Sequence, residues 1–396
     1  MSKAREMAEI ISTPPSIYST DAEVAATYLT QSSASTTYLS QENNRVAFKN
    51  LIINGKMEVA QRGTSTASIT GAGYTTVDRF GLNVGTMGTW TMSQENDAPT
   101  GSGFRKSAKV LCTTADASPA AGDYNFLYSA LEGQNLQQVL KGTSSAKQLT
   151  LSFWVKANVT GTYVVEFFDV DNTRSTSQSY TVNASATWEK KTITIPADTT
   201  GAFDNDNGNS FQLNWWLGAG TDRTSGSLQT TWGSRTTANI APGQVNLASA
   251  ISNYWQVTGV QLEVGDTATP FEHRPTWTTE LQMCQRYYEK TWPHDSAIGS
   301  DNTGCAIVNG GPDQVSINYW FCPWRYQVEK RANPTVTLYA MNGTAGSVTK
   351  WSGGTTSVTN SGLTTNWQGS TRQVVVLYNQ AGTSGIVYNA VAASEL

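Results

Sequence analysis

The chain has 396 residues, with 26 Lys and Arg against 30 Asp and Glu and a formal charge of −4; charged residues are 14 %, aromatics 10 %, with 13 Trp and 16 Tyr. A chain this long predicts more than one domain. The weakly acidic balance excludes a basic stripe able to neutralise nucleic-acid phosphates, and no apolar run is long enough to enter a bilayer as a helix. Abundant Gly, Ser, Thr and aromatics with sparse Lys and Glu predict an all-β protein of short strands and turns, not a helical or α/β enzyme.

Residues 1–45 read as an arm. Ala4, Met7, Ala8 and Ile11 make a short helical stripe that Pro14-Pro15 stops. Thr20-Asp21-Ala22-Glu23 has the capping-box pattern. Thr27-Tyr28-Leu29-Thr30-Gln31 returns as Thr37-Tyr38-Leu39-Ser40-Gln41. The arm is too short and polar to bury a core, so sister chains or a larger assembly should order it. The start lacks an apolar h-region, so synthesis in a reducing cytosol with free thiols is expected. Cys112, Cys284, Cys305 and Cys322 have no C-x-x-C spacing, and only His273 and His294 could join them. No metal site and no cofactor are expected.

A large domain is expected over 46–275. Leu51-Ile52-Ile53, Asn54-Gly55 and Met57-Glu58-Val59 read as a hairpin. Asp78-Arg79-Phe80 reads as a structural salt bridge under a loop. Alternation marks strands at 149–156, 188–195, 211–217 and 257–264, and the nearly continuous apolar run 162–168 reads as a central strand. Such strands predict an antiparallel sandwich, most plausibly a jelly roll, with long loops at 198–209 and 218–237. In Asp204-Asn205-Asp206-Asn207-Gly208-Asn209 the glycine comes too early for an EF-hand and no closing Glu follows; its plain reading is a polar turn.

Gly259 to about Lys290 is the joint. Val260, Leu262 and Val264 alternate as a closing strand, Gly265-Asp266 turns, and Glu280 to Tyr288 takes helical spacing with Leu281, Cys284 and Tyr288 on one face. Glu263, Glu272, His273 and Arg274 should tie the two domains together. A smaller β-sandwich domain follows over 276–396, with strands at 306–308, 315–321, 335–339, 373–378 and 385–388.

These motifs carry a resemblance. Asn50-Leu51-Ile52-Ile53-Asn54-Gly55-Lys56-Met57-Glu58-Val59-Ala60-Gln61-Arg62-Gly63, then Asp78-Arg79-Phe80, then Gly259-Val260-Gln261-Leu262-Glu263-Val264-Gly265 through Arg274, then Cys284-Gln285-Arg286-Tyr287-Tyr288, resemble tail-fibre or receptor-binding proteins of tailed bacteriophages. The closing Ser394-Glu395-Leu396 is similar more loosely; the family more usually has Trp where Phe80 stands and an Asp-Ala-Glu-Leu ending. The resemblance implies a homotrimeric virion protein, assembled in the host cytoplasm, whose segment 1–45 attaches to tail or baseplate proteins. It implies no reaction, so no enzyme is expected and no catalytic residue is assigned. His294-Asp295 reads as a loop pair. The expected ligand is a host-surface polysaccharide or lipopolysaccharide. The alternatives are a non-receptor head, neck or baseplate decoration and a polysaccharide depolymerase.

Aromatic faces stack on pyranose rings while amides and carboxylates bond hydroxyls. Trp216 faces away from Trp215 among Gln212 and Asn214, Trp154 lies beside Ser152 and Lys156, and Trp232, Trp351 and Trp367 lie in Gly/Ser/Thr surroundings. These are the glycan-binding candidates, set against burial in a trimer interface or a second sheet.

Overall fold

Alternating apolar residues build two sheets that close on one core. In the computed structural model, residues 49–274, 276–300, 308–309, 319–352, 355–360, 363–364, 369–379 and 385–396 are described. The expected attachment arm, 1–45, lies outside the described residues. Lys49–Leu396 form one unit, and the fold is all-β.

The first six-stranded sheet runs β1 (Ser65–Ile69), β3 (Thr89–Glu95), β4 (Ser107–Thr114), β12 (Tyr254–Val264), β6 (Leu149–Ala157), β9 (Glu189–Ile195). The second runs β11 (Gly233–Ser234), β8 (Arg174–Val182), β7 (Gly161–Asp169), β10 (Asn209–Ala219), β5 (Tyr124–Glu132), β2 (Gly81–Gly85). Every ladder between these strands is antiparallel, and the chain passes back and forth between sheets as in a jelly roll. Trp90, Phe153, Tyr163, Phe167, Trp215 and Trp255 fill the space between them. The run at 162–168 is internal in its sheet, between β8 and β10.

A buried cation stiffens the loops at one end. The Lys141 ammonium donates to Asp169, to the carbonyls of Thr200 and Gly201 at 3.0 and 2.6 Å, and lies 3.1 Å from Asp198. Asp198 also holds Arg174 at 2.9 Å. The loop at 204–209 is a polar turn: Asp206 Oδ1 accepts the Gly208 amide at 2.7 Å, its carbonyl accepts Gln134 N at 2.8 Å, and the Asn207 carbonyl accepts Arg331 at 2.9 Å. Among the described residues no three His, Cys, Asp or Glu side chains converge on one point.

Beyond the sandwich the described residues form three small sheets. They are β13 (Tyr288–Lys290), β22 (Asn389–Ala393), β16 (Thr335–Tyr339); β14 (Val308–Asn309), β21 (Gly385–Val387), β17 (Val348–Ser352), β18 (Thr355–Thr359); and β15 (Tyr319–Arg325), β20 (Gln373–Asn379), β19 (Leu363–Thr364). Trp324, Leu338, Val348, Val374, Val376, Ile386 and Tyr388 form their core, separate from that of the sandwich. A short helix, α1 (Thr221–Thr224), lies beyond β10; the joint helix, α2 (Trp277–Gln285), begins where Thr276 Oγ1 accepts the Thr279 amide at 3.2 Å. No described helix is long and apolar enough to cross a membrane.

Three local expectations are corrected. The stretch 51–59 is a turn rather than a hairpin: Asn54 and Met57 take φ of 61° and 60°, and Asn54 Nδ2 donates to the carbonyls of Val59 and Asp78, both at 2.8 Å, which holds the chain folded back. The joint helix ends at Gln285, and Tyr288 is drawn into β13 by its pairing with Ala393. Asp78 does not pair with Arg79; it lies 3.3 Å from Arg62, while Arg79, at φ 69°, turns its guanidinium to Glu395.

Candidate functional site

The sequence motifs with the most distinctive pattern converge on a buried latch. Asn50 Oδ1 accepts the amides of Ile52 and Leu262 at 3.0 and 3.1 Å, and its Nδ2 donates to the Val260 carbonyl at 3.1 Å. Gly55 passes so close to β12 that a Cβ there would sit 2.1 Å from the Val260 carbonyl oxygen. Gln61 donates to Asp78 at 2.6 Å and to the Tyr288 carbonyl at 2.8 Å. Arg62 and Arg79 both clasp Glu395, and they stack 3.7 Å over Tyr288 and 3.5 Å over Tyr287. Glu132 accepts from Arg286 at 2.7 Å on both oxygens and from the Tyr287 hydroxyl. Arg331 closes the end by donating to the Ser394 and Glu395 carbonyls at 2.9 and 2.8 Å.

The latch joins elements; it offers little to a ligand. Burial pushes the Tyr74 and Cys284 hydrogens to higher pKa, and it raises the Asp78 carboxyl despite Arg62. The neighbouring cavity over Arg79, Glu132 and Tyr287 holds only about 10 Å³, about the minimum for one water molecule. Of the residues expected to tie the joint, Arg274 donates to Glu280 at 2.6 Å and Glu272 accepts the Asn50 amide at 2.8 Å. Among the described residues, Glu263 accepts only from nearby Gln261 and Thr269. His273 is exposed and belongs elsewhere.

The outer faces of the two sheets differ. On the second sheet, Ile240 and Ala241 from the long β10–β12 connection cover Phe126, Val164 and Trp216. Glu166, fully buried, is held there by Arg235 at 2.6 Å and Asn214 at 3.1 Å. Trp216 is therefore corrected as a candidate platform: it has 0 % exposure, because the connection folds over the face that alternation assigns to solvent. Its ring packs 4.9 Å from Phe126.

The outer face of the first sheet stays open along β6 and β9. Register places Lys190 opposite Trp154 and Thr192 opposite Ser152. Lys190, Thr192 and Thr194 are exposed; Trp154 and Trp188 are half-buried. The β3–β4 connection brings in Asp97, which accepts from Trp188 Nε1 at 3.1 Å and from Lys156 at 2.8 Å. It also brings Phe104, half-buried, 4.9 Å from Phe271 and 5.6 Å from His273. A bulge in β12 makes room for these rings: the register slips between Thr258 and Gln261. Gly259 there has φ +62°, and a Cβ on it would stand 2.6 Å from Phe104 and 3.2 Å from Trp154.

The charges of this face are set. Burial raises the Asp97 carboxyl, but hydrogen bonds from Lys156 and Trp188 outweigh it and hold it below its usual range. Partial burial, with Lys56 next, keeps the His273 imidazolium disfavoured. The face thus presents aromatic rings beside an ionised carboxylate, two lysines and threonine hydroxyls. That set can stack on a flat apolar surface and bond polar groups at its rim.

The other candidates lie apart. Trp232 packs against the main core and donates to the Pro196 carbonyl at 2.8 Å. Trp367 and the Trp351 side chain lie outside the described residues. The His294 ring lies tilted against Trp277, with centroids 4.3 Å apart. Sequence reasoning missed Trp188, Phe104 and Phe271 as partners of Trp154. Trp188 had a signal, since it shares the parity of Lys190 on the strand neighbouring β6; Phe104 in its glycine-rich loop had none.

No family model and no curated protein matches the chain. Among solved structures it is similar to the enzymatically active domain of bacteriophage CBA120 tailspike protein 4, at 12 % identity and TM-score 0.30, covering 55 % of this chain and 21 % of that chain. It is also similar to the CBM22-1 xylan-binding domain from Paenibacillus barcinonensis, at 11 % identity and TM-score 0.26, covering 56 % and 98 %. A family 11 carbohydrate-binding module from Clostridium thermocellum, in complex with a mixed-linked tetrasaccharide, gives 12 % identity and TM-score 0.27, covering 52 % and 98 %.

Proposed function

We propose that the chain is a non-enzymatic glycan-binding protein of a tailed-phage particle: a homotrimeric tail fibre that grips a host-surface polysaccharide or lipopolysaccharide on the outer face of its first sheet. The observation that carries the binding reading is the gathering of Trp154, Trp188, Phe104 and Phe271 on one open face beside the Asp97–Lys156 pair. A rigid ring costs little rotamer freedom when it stacks, and the fixed carboxylate and ammonium select hydroxyl geometry. The particle reading rests on the ordered motifs and on a segment, 1–45, too polar to hold a core alone.

Binding of host envelope polysaccharide by the full chain and by Trp154→Ala/Trp188→Ala tests the face. The double variant should melt near the parent and lose at least tenfold in affinity; unchanged affinity removes the face from the reading. Incubation with the same polysaccharide should release no new reducing ends, and release would make the protein an enzyme. Mass measurement in solution checks the trimer, and a monomer at micromolar concentration defeats it. A particle reconstruction checks the tail position.

A further inference from the structure

The C-terminal sheets hold an open groove of about 470 Å³, lined by Arg325, Tyr326, Glu329, Ser370, Arg372 and Gln373. It lies where the β15–β20 ladder ends. Arg325 pairs with Gln373, and the Tyr326 amide donates to the Arg372 carbonyl at 3.0 Å. The turn before β20 is held by Ser370, whose hydroxyl accepts the amides of Arg372 and Gln373, each at 3.2 Å. Arg325 at the end of β15 and Arg372 just before β20 therefore line one opening.

These arginines are not consumed by the fold. Arg325 is exposed and forms no ion pair among the described residues. Arg372 uses its Nε on Glu329 at 3.1 Å, in a pair whose side chains are 79 % and 50 % exposed. Such a pair is weak and screened, and it leaves the Nη edge of Arg372 without a hydrogen bond among the described residues. Glu329, held in turn by the Thr371 hydroxyl at 3.0 Å, orients the guanidinium. With Arg325 and Arg372 against Glu329, the lining carries a net positive charge. Tyr326 is 9 % exposed, and its buried hydroxyl has no hydrogen-bond partner among the described residues. Burial keeps it protonated, a donor left over.

We infer that this groove binds an anionic sugar unit, with Arg325 and Arg372 clasping its carboxylate or phosphate oxygens. The planar fork of a guanidinium matches two oxygens of either group, and the volume lies within the usual range for ligand pockets of about 300–1,000 Å³. The site is separate from the aromatic face and rests on the glycan reading only for the ligand being a saccharide.

Titration calorimetry on the full chain tests it with oligogalacturonate, its methyl ester and mannose 6-phosphate. Oligogalacturonate, mannose 6-phosphate or both should bind, at least tenfold more tightly than the uncharged ester, with affinity falling as salt rises. Arg325→Ala/Arg372→Ala should lose that binding at least tenfold, and Arg325→Lys/Arg372→Lys should keep part of it. Both arginines are on the surface, and matching melting curves confirm that the variants fold. The charged probe that binds names the anion. Failure of both, or full binding by the alanine variant, overturns the inference. Trp154→Ala/Trp188→Ala should leave acidic binding intact. If that variant instead abolishes all saccharide binding while the arginine variant does not, the groove fails and the aromatic face stands. The reverse pattern removes the aromatic face and keeps the groove.

Discussion

The latch and the aromatic face make opposite use of sequence. The latch gathers the stretches with the most distinctive pattern, Asn50 to Gly63, Asp78 to Phe80, Gly259 to Gly265 and Cys284 to Tyr288, and buries nearly all their polar groups against one another. The aromatic face is built from residues unremarkable in sequence, Trp188 after a turn, Phe104 in a loop and Trp154 in an ordinary strand, and leaves them half-exposed. Buried charges need partners at fixed distances, so they tolerate few residue types. A stacking surface needs only ring area in one plane, which many sequences supply. A dense motif here therefore marks a structural joint, and it is not where a ligand should be sought.

That contrast can be broken in order of expected effect. Arg79→Ala removes a cation from a fully buried position and leaves Glu395 short of a partner; it should cost about 3–5 kcal/mol in denaturant unfolding. Glycan affinity per folded molecule should stay the same, and a loss there would join the latch to binding. Trp216→Ala empties a closed aromatic pocket and should cost about 3–5 kcal/mol. Trp154→Ala should cost little stability and weaken glycan binding by roughly tenfold, about 1.4 kcal/mol; equal behaviour of the two tryptophan variants would erase the distinction between the sheet faces.

Smaller effects sharpen the picture. Gly259→Ala places a methyl against Phe104 in a left-handed backbone. It should cost about 1–2 kcal/mol and lower glycan affinity by shifting Phe104 and Trp154, an effect checked by binding beside a melting curve. Burial works against the charge of Glu132, but hydrogen bonds from Arg286 and Tyr287 outweigh it and hold its pKa below 4.5. With the folded value depressed, its contribution is present above about pH 4.5 and is lost as pH falls through the folded value. Glu132→Gln should flatten that acid limb of stability; an unchanged limb would place the pH dependence in other carboxylates.

Much of the sandwich was legible. Strands 149–156, 188–195, 211–217 and 257–264 showed alternation because one face of each meets the core, and 162–168 showed a nearly continuous apolar run because both its faces are covered. The β8 stretch Arg174–Val182 gave no such signal: Ser175, Thr176 and Ser177 are buried although polar. The Ser175 carbonyl and the Ser177 amide bond Gln229 from a distant loop, a partner that periodicity does not reveal. Of the aromatic face, Trp154 was named by parity, while Trp188 and Phe104 were not assigned to it.

Sequence alone determined the class of fold and the sheet face taken by the residues of the alternating strands, since these follow from local alternation and turn chemistry. It placed Trp216 opposite Trp215 correctly. Only the tertiary structure decided that the 220–246 connection covers Trp216, that the slip at Gly259 opens room for Phe104 and Trp154, and that Asp78 turns to Arg62 while Arg79 turns to Glu395. Exposure and charge pairing depend on which distant segments come to lie on a surface, and that is settled by packing of the whole chain rather than by any stretch of it.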